Sequence, residues 1–192
     1  VAEIRIYFEG HESLRQGFCA FFKEIYDLAR ARRWRVELIA THGTPAEDFA
    51  IANRTHRDAW NILLLDSESP DSGELTASLI AREGWDASHK DSIFWMVQMM
   101  EAWFHADKDA LERFYGGKGF HLGALSGNPL VEQISKKDLQ DGLKAATKNT
   151  KKGAYHKTKH APGLLEEIDP NRVRRAAPHC NRFFNIVLAK LS

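Results

Sequence analysis

Residues 61–70 read NILLLDSESP, and the run Ile62–Leu65 is apolar at every position before it meets Asp66-Ser67-Glu68. A strand with one face in water alternates apolar and polar side chains. One that is apolar throughout has both faces covered, the situation of a central strand in a parallel sheet. Parallel neighbours cannot be joined by hairpins, so helical crossovers must lie between them. The preceding residues supply both kinds of element. In EIRIYFEG, Ile4, Ile6 and Phe8 alternate with Arg5 and Tyr7, a strand ended by Glu9-Gly10. From about Glu12 to Arg32, Leu14, Phe18, Phe21, Phe22, Ile25 and Leu28 recur at three- and four-residue steps. That is an amphipathic helix, with Arg30, Arg32 and Arg33 where the helix dipole favours positive charge. WRVELIA is a second strand, and Thr44-Pro45 opens a helix to about Trp60, with Thr44 as N-cap. Strand, helix, strand, helix, strand predicts an α/β domain with a mainly parallel sheet flanked by helices.

Further on, GELTASLIAREG predicts a short helix, SIFWMVQ a fourth strand and MMEAWFHADKDALERFYG a helix. After Gly116 the character changes. YGGKGFHLGALSGNP is a glycine-rich loop, and VEQISKKDLQDGLKAATKNT is helical, with Ser135 as N-cap and Asp138 in the capping-box position. DPNRVRRAAPHCNRFFNIVLAKL forms one or two helices broken before Pro178. The expected division is an α/β core at 1–115 and a helical, lysine-rich C-terminal portion at 116–192 packed on it.

In open parallel sheets ligands bind outside the carboxyl ends of the strands. Glu9 ends the first strand, and Asp66 and Glu68 end the third. If these strands are neighbours, three carboxylates converge on one edge, with Asp66 and Glu68 on one face by the two-residue period. Like charges that close raise each other's pKa unless something positive stands between them. A hard cation with oxygen ligands answers this, and Mg²⁺ suits it, with Mn²⁺ as a substitute. The expected countercharge is therefore a metal and not a lysine. The bland alternative is that Asp66 and Glu68 begin a solvated loop.

The order apolar strand, Glu-Gly, helix, strand, helix, apolar strand, acidic-x-acidic resembles the Toprim domain of topoisomerases, primases and overcoming-lysogenization-defect nucleases. IYFEG matches the Glu-Gly motif and LLLDSES the Asp-x-Asp motif, with Glu68 standing where the second Asp is usual. The resemblance implies a Toprim-like (Rossmann-like) fold and metal-dependent phosphodiester chemistry. Metal binding would fall on Asp66 and Glu68, and metal binding or acid–base work on Glu9. MVQMMEAWFHAD, NPLVEQISKKD, TKNTKKGAYHKTKH and IDPNRVRRAAPHCNRF resemble a bacterial family labelled domain of unknown function 4276, over nearly the whole chain. Toprim-like proteins of this kind are often paired with an ATPase in phage defence, which makes an ATPase subunit an expected partner.

Two further carboxylates are candidate metal ligands. Glu12 opens the first helix and can reach the same edge; its alternative role is to complement the helix N-terminus. Glu101 stands among Met99, Met100, Trp103 and Phe104, and a carboxylate buried there needs a metal or an arginine. Asp107 reads as the N-cap of the next helix, and His11 as a surface residue or a phosphate or metal ligand. The second signal is charge: from Gly142 to Leu165 there is no acidic residue. Lys148, Lys151, Lys152, Lys157 and Lys159, with Tyr155 available to stack, suit a phosphate backbone; the alternative is a solvated loop.

Composition closes off other classes. The chain has 192 residues, 43% hydrophobic and 28% charged, enough to bury a core and unlike a disordered chain. Cys19 and Cys180 are far apart without zinc spacing; Cys19 reads as a core residue, and a reducing cytoplasm is the expected setting. No apolar run approaches the roughly 18 residues of a membrane span, and no signal peptide is expected. A chain starting at Val1 is expected to have lost an initiator methionine or been trimmed. HExxH, Walker A, a strand-borne GxGxxG and a nucleophile elbow are all missing from the sequence. The expectation is a Mg²⁺-dependent Toprim-like nuclease acting on DNA or RNA. The competing class is a non-catalytic Toprim-shaped subunit of an ATPase complex, docking through FWMVQMMEAWF if that stretch is not core. Small-nucleotide binding or hydrolysis at the same edge is a third.

Overall fold

Parallel strands β1 (Glu3–Phe8), β2 (Arg35–Ala40), β3 (Ala59–Asp66) and β4 (Ile93–Met96) lie in the order β2-β1-β3-β4 in the computed structural model, which describes residues 2–41 and 44–192. The uninterrupted apolar run of β3 thus has a strand on each side and helices on each face. The helices are α1 (Arg15–Phe21), α2 (Lys23–Ala31), α3 (Pro45–Thr55), α4 (Leu75–Glu83), α5 (Glu101–Ala106), α6 (Lys108–Tyr115), α7 (Lys136–Thr147), α8 (Lys157–Glu167), α9 (Pro170–Ala176) and α10 (Pro178–Leu191).

Alternation along the strands sorts side chains between two cores. Ile4, Ile6, Phe8, Ile62, Leu64, Phe94 and Met96 enter the larger one; Tyr7, Leu63, Leu65 and Ile93 enter the smaller, with Phe49 of α3 and Leu79 of α4. The larger core also takes Phe18, Phe21 and Phe22, Trp103, and Phe183 and Phe184 of α10. Phe21 stacks on Trp103 at 4.9 Å between ring centres, and Phe22 lies 5.0 Å from Phe183. Each such pair adds about 0.5–1.5 kcal/mol beyond its buried area. The residues after Gly116 therefore share one continuous core with the sheet.

Several expectations shift. The helix read over Glu12–Arg32 is a short 3-10 turn followed by α1 and α2, parted at Phe22 (φ −90°, ψ 20°), which lets consecutive Phe21 and Phe22 both reach the core. The helix opened by Pro45 stops at Thr55, because Trp60 is taken into β3 opposite Ile4. Asp107 does cap α6, accepting the Ala110 N–H, and divides it from α5. Met96, Val97, Met99, Met100, Trp103 and Phe104 are buried, so FWMVQMMEAWF supplies core and not a docking face. The lysine-rich stretch divides: Lys148, Lys151 and Lys152 lie in the turn between α7 and α8, while Lys157 and Lys159 begin α8, laid so closely on α1 that a Cβ on Gly17 would stand 2.5 Å from the Pro162 carbonyl oxygen. That contact fixes where Lys157, first residue of α8, comes to rest.

Candidate active site

β1 and β3 pair with Phe8 opposite Leu64, so the residues that follow them emerge side by side at the carboxyl edge. Glu9 continues the pairing by donating its N–H to Leu64 O at 2.9 Å. Gly10 then turns the chain at φ 141°, where any Cβ would stand 2.7 Å from Leu14 Cδ1. The Glu9 carboxylate reaches sideways: its Oε2 accepts the Asp66 N–H at 3.1 Å.

Asp66 has the parity of Ile62 and Leu64, so it faces the larger core and is only 8% exposed. Its Oδ1 accepts the Met100 N–H at 2.8 Å, at the N-terminus of α5. Its Oδ2 lies 3.4 Å from Lys157 Nζ, and the same ammonium is 3.7 Å from Glu101 Oε2. Glu101 is 1% exposed; Oε1 accepts the Tyr155 hydroxyl at 2.9 Å, while the buried Oε2 has no hydrogen-bond partner. Burial, followed by the charges of Glu101 and Glu9, pushes the Asp66 pKa up to about 7, against the pull of Lys157 and the Met100 N–H. Burial also works against the Lys157 ammonium, but Asp66, Glu101 and Glu9 together raise its pKa above the usual lysine value. One cation thus faces three carboxylates, and Asp66 remains under-compensated.

Of the residues singled out in the sequence, Glu9, Asp66, Glu101 and Lys157 meet here. Glu68 borders the same cleft as Glu9 and Asp66, but its carboxylate is not among those paired with Lys157. β3 ends at Asp66, and Glu68 has a left-handed φ of 61°, so strand alternation no longer governs it; its carboxylate pairs with Lys136. Glu12 is exposed and pairs with Arg15 at 3.2 Å. His11 is exposed and accepts the Ser13 N–H. Lys148, Lys151, Lys152 and Lys159 lie on the surface, Lys152 with its ammonium 4.6 Å from the Phe114 ring centre. Tyr155 is buried against Glu101, so it is a positioning group and not a stacking platform. The countercharge expected of a metal is supplied in part by Lys157, grouped in the sequence with the backbone-steering lysines. His156 and His160, four residues apart, form no metal pair, since His160 is buried and its Nδ1 accepts the His156 N–H.

The donor set fits a hard cation: three carboxylates whose countercharge is incomplete, one with an orphaned buried oxygen. It is not closed around one. Among the described residues no three acidic, histidine or cysteine side chains stand ready to enclose a metal, and Lys157 lies between two of the candidates. On the smaller-core side, an open cleft of about 680 Å³ runs from Glu9 and Asp66 between the start of α3 and the flank of α4.

The family model described as domain of unknown function (DUF4276) matches residues 14–188. The chain belongs to the DUF4276 family. Comparison with curated protein sequences finds no match. Among solved structures, the C-terminal region of the Burkholderia pseudomallei OLD protein is similar, with a TM-score of 0.59 over 98% of each chain at 12% identity. At that identity the likeness is one of fold, and it makes this DUF4276 fold a Toprim-like α/β one. Among the described residues of this family member, no helix is long and apolar enough to cross a membrane.

Proposed function

We propose that this DUF4276 protein hydrolyses nucleic-acid phosphodiester bonds with Mg²⁺, or Mn²⁺, at the edge formed by Glu9, Asp66, Glu101 and Lys157. The observation that carries the reading is the meeting of three carboxylates and one lysine at the carboxyl edge of a parallel sheet. There, burial and mutual repulsion hold Asp66 near pKa 7. A carboxylate perturbed by burial and like charge in a cleft is a functional-site candidate, because active sites arrange burial and charge in this way. The fold likeness to part of the OLD protein agrees with it.

Asp66 and Glu101 would hold the cation, with Glu9 either completing its ligands or taking the proton of the attacking water. A divalent ion there supplies Lewis-acid polarisation of a phosphoryl oxygen and acidifies a bound water. Lys157, kept charged by its carboxylate neighbours, stabilises negative charge developing on the phosphate. Tyr155 holds Glu101 in place, and the exposed Lys148, Lys151, Lys152 and Lys159 draw the backbone towards this flank. Glu68, engaged with Lys136 at the rim, is left out of the ligand set.

A second reading has an observation of its own. Lys157 stands between Asp66 and Glu101 and neutralises part of the site, as in a subunit that binds without cutting and works with an ATPase partner. Purified protein incubated with labelled single- and double-stranded DNA and with RNA, in Mg²⁺, Mn²⁺ or EDTA, separates the two. Metal-dependent cutting lost in Asp66→Ala and in Lys157→Met supports the nuclease. Folded protein that binds nucleic acid but never cuts, with or without an ATPase, refutes it.

A further inference from the structure

The carboxylate edge has two unlike flanks. On the larger-core side stands Lys157 of α8; on the other is the cleft of about 680 Å³. Strand parity decides what lines that cleft. Leu65, one residue before Asp66, points away from Lys157 and into the floor, beside Trp95 of β4. Leu75 and Leu79 of α4 continue the apolar floor, and Ser72 and Ser78 stand above it. Trp95 is fixed by donating its indole N–H to Thr76 Oγ1 at 2.9 Å.

Charge argues against a phosphate in this space. Among the described lining residues Arg82 is the only cation, and Glu83 answers it at 2.8 Å, while Glu47 and Glu68 also border the cleft. A backbone phosphate is therefore drawn to the lysine flank and turned away from the cleft. The volume lies in the class that takes one small ligand. A neutral, flat, partly apolar group with polar edges, attached to a phosphate lying across Glu9 and Asp66, satisfies size, charge and position together. A nucleobase is such a group.

We infer that the cleft is a pocket for a single nucleobase drawn out of its stack, so that the substrate is single-stranded or locally opened nucleic acid and not intact duplex. The inference rests on the reading of this edge as a nucleic-acid site and adds which form of nucleic acid reaches it. A base extruded from a duplex carries an unstacking cost that an already single-stranded one does not, so the pocket discriminates by that cost. Seating the base against Trp95 and the leucines recovers stacking and burial.

The experiment is binding without cutting. Short labelled oligonucleotides of one sequence, single-stranded and fully paired, as DNA and as RNA, are titrated with the full chain in EDTA and followed by fluorescence anisotropy. Wild type is expected to bind the single strand about tenfold more tightly than the duplex, the worth of one stacked base. Ser78→Trp, an exposed position whose larger side chain fills the cleft, is expected to remove that preference; Ser78→Ala, which leaves the space open, keeps it. Equal affinity for both forms overturns the inference, as does a preference that survives Ser78→Trp. Binding to nucleoside monophosphates alone, with no oligonucleotide bound, overturns it too. A protein with the preference that never cuts keeps this pocket and loses the nuclease reading. One that cuts duplex and single strand alike loses the pocket and keeps the nuclease.

Discussion

Asp66 is where the fold carries a stability cost at the proposed site. Its carboxylate is buried beside Glu101 and Glu9, and a pKa of about 7 means that the folded chain holds a proton which the unfolded chain has already released. Between the unfolded carboxylate value and about 7 the folded state binds more protons, so stability falls as pH rises through that window. Asp66→Asn removes the charge and is expected to raise the melting temperature in EDTA at pH 8 by a few degrees, as replacing a strained site group commonly does. The same variant should have no activity. Calorimetry at pH 8 and pH 5 checks this, since the gain should shrink at the lower pH. The position of Asp66 at the sheet edge was legible in the sequence because a strand end and an acidic residue coincide there. Glu101 was legible as a buried carboxylate in need of a partner, but not which partner: Lys157 lies 56 positions further on, and only the packing of α8 brings it in. Glu68 was legible as a carboxylate at the cleft but not its pairing with Lys136, because strand alternation was extended two residues past the last strand residue, into a left-handed turn.

Two contacts between elements matter at this scale, one that places Lys157 and one that ties distant segments together. The first is α1 on α8. Gly17 lets the helices approach until the Pro162 carbonyl and Leu165 stand where a Cβ would go, at 2.5 and 2.7 Å. Gly17→Ala gains helix propensity but forces α8 outward, and a net loss of about 1–3 kcal/mol is expected from overpacking. Denaturant melts measure the loss, and the proposed nuclease activity should fall as well, because Lys157 moves with α8. The second contact ties the segment after β3 to the start of α10. His179 Nε2 lies 2.9 Å from Asp71 Oδ2, its Nδ1 2.8 Å from Glu132 Oε2, and its N–H donates to Glu132 Oε1. Glu132, against the cost of burial, and then Asp71 raise the His179 pKa above the usual histidine value. A raised histidine stabilises fully below its unfolded pKa and loses that contribution as pH rises through the folded value. A neutral imidazole can donate to only one of the two carboxylates. Wild type should therefore exceed His179→Gln in melting temperature at pH 6, and the difference should shrink towards pH 9. Neither contact was visible in sequence: Gly17 reads as an ordinary helix residue, and Asp71 and His179 are 108 positions apart.

On the scale of the whole molecule, the division into an α/β core and a C-terminal portion describes the sequence's character better than its packing. The order strand, helix, strand, helix, strand was readable because each element carries its own period. The path of residues 116–192 was not, because helices placed by tertiary contact leave only a generic apolar stripe in the sequence. Those residues complete the core with Phe183 and Phe184 and complete the site with Tyr155 and Lys157. The sheet edge, with Glu101 from α5 and Lys157 from α8, is proposed as a cation-dependent site. Thermal melting of wild type, Glu101→Gln and Glu68→Gln over a Mg²⁺ titration tests it without requiring activity. Saturating Mg²⁺ is expected to raise the wild-type melting temperature by about 5 °C, the effect of a ligand at roughly a hundred times its Kd. Glu68→Gln should keep that shift and Glu101→Gln should lose it. A wild type indifferent to Mg²⁺, or a shift lost in Glu68→Gln and kept in Glu101→Gln, would mean that this edge does not hold the cation.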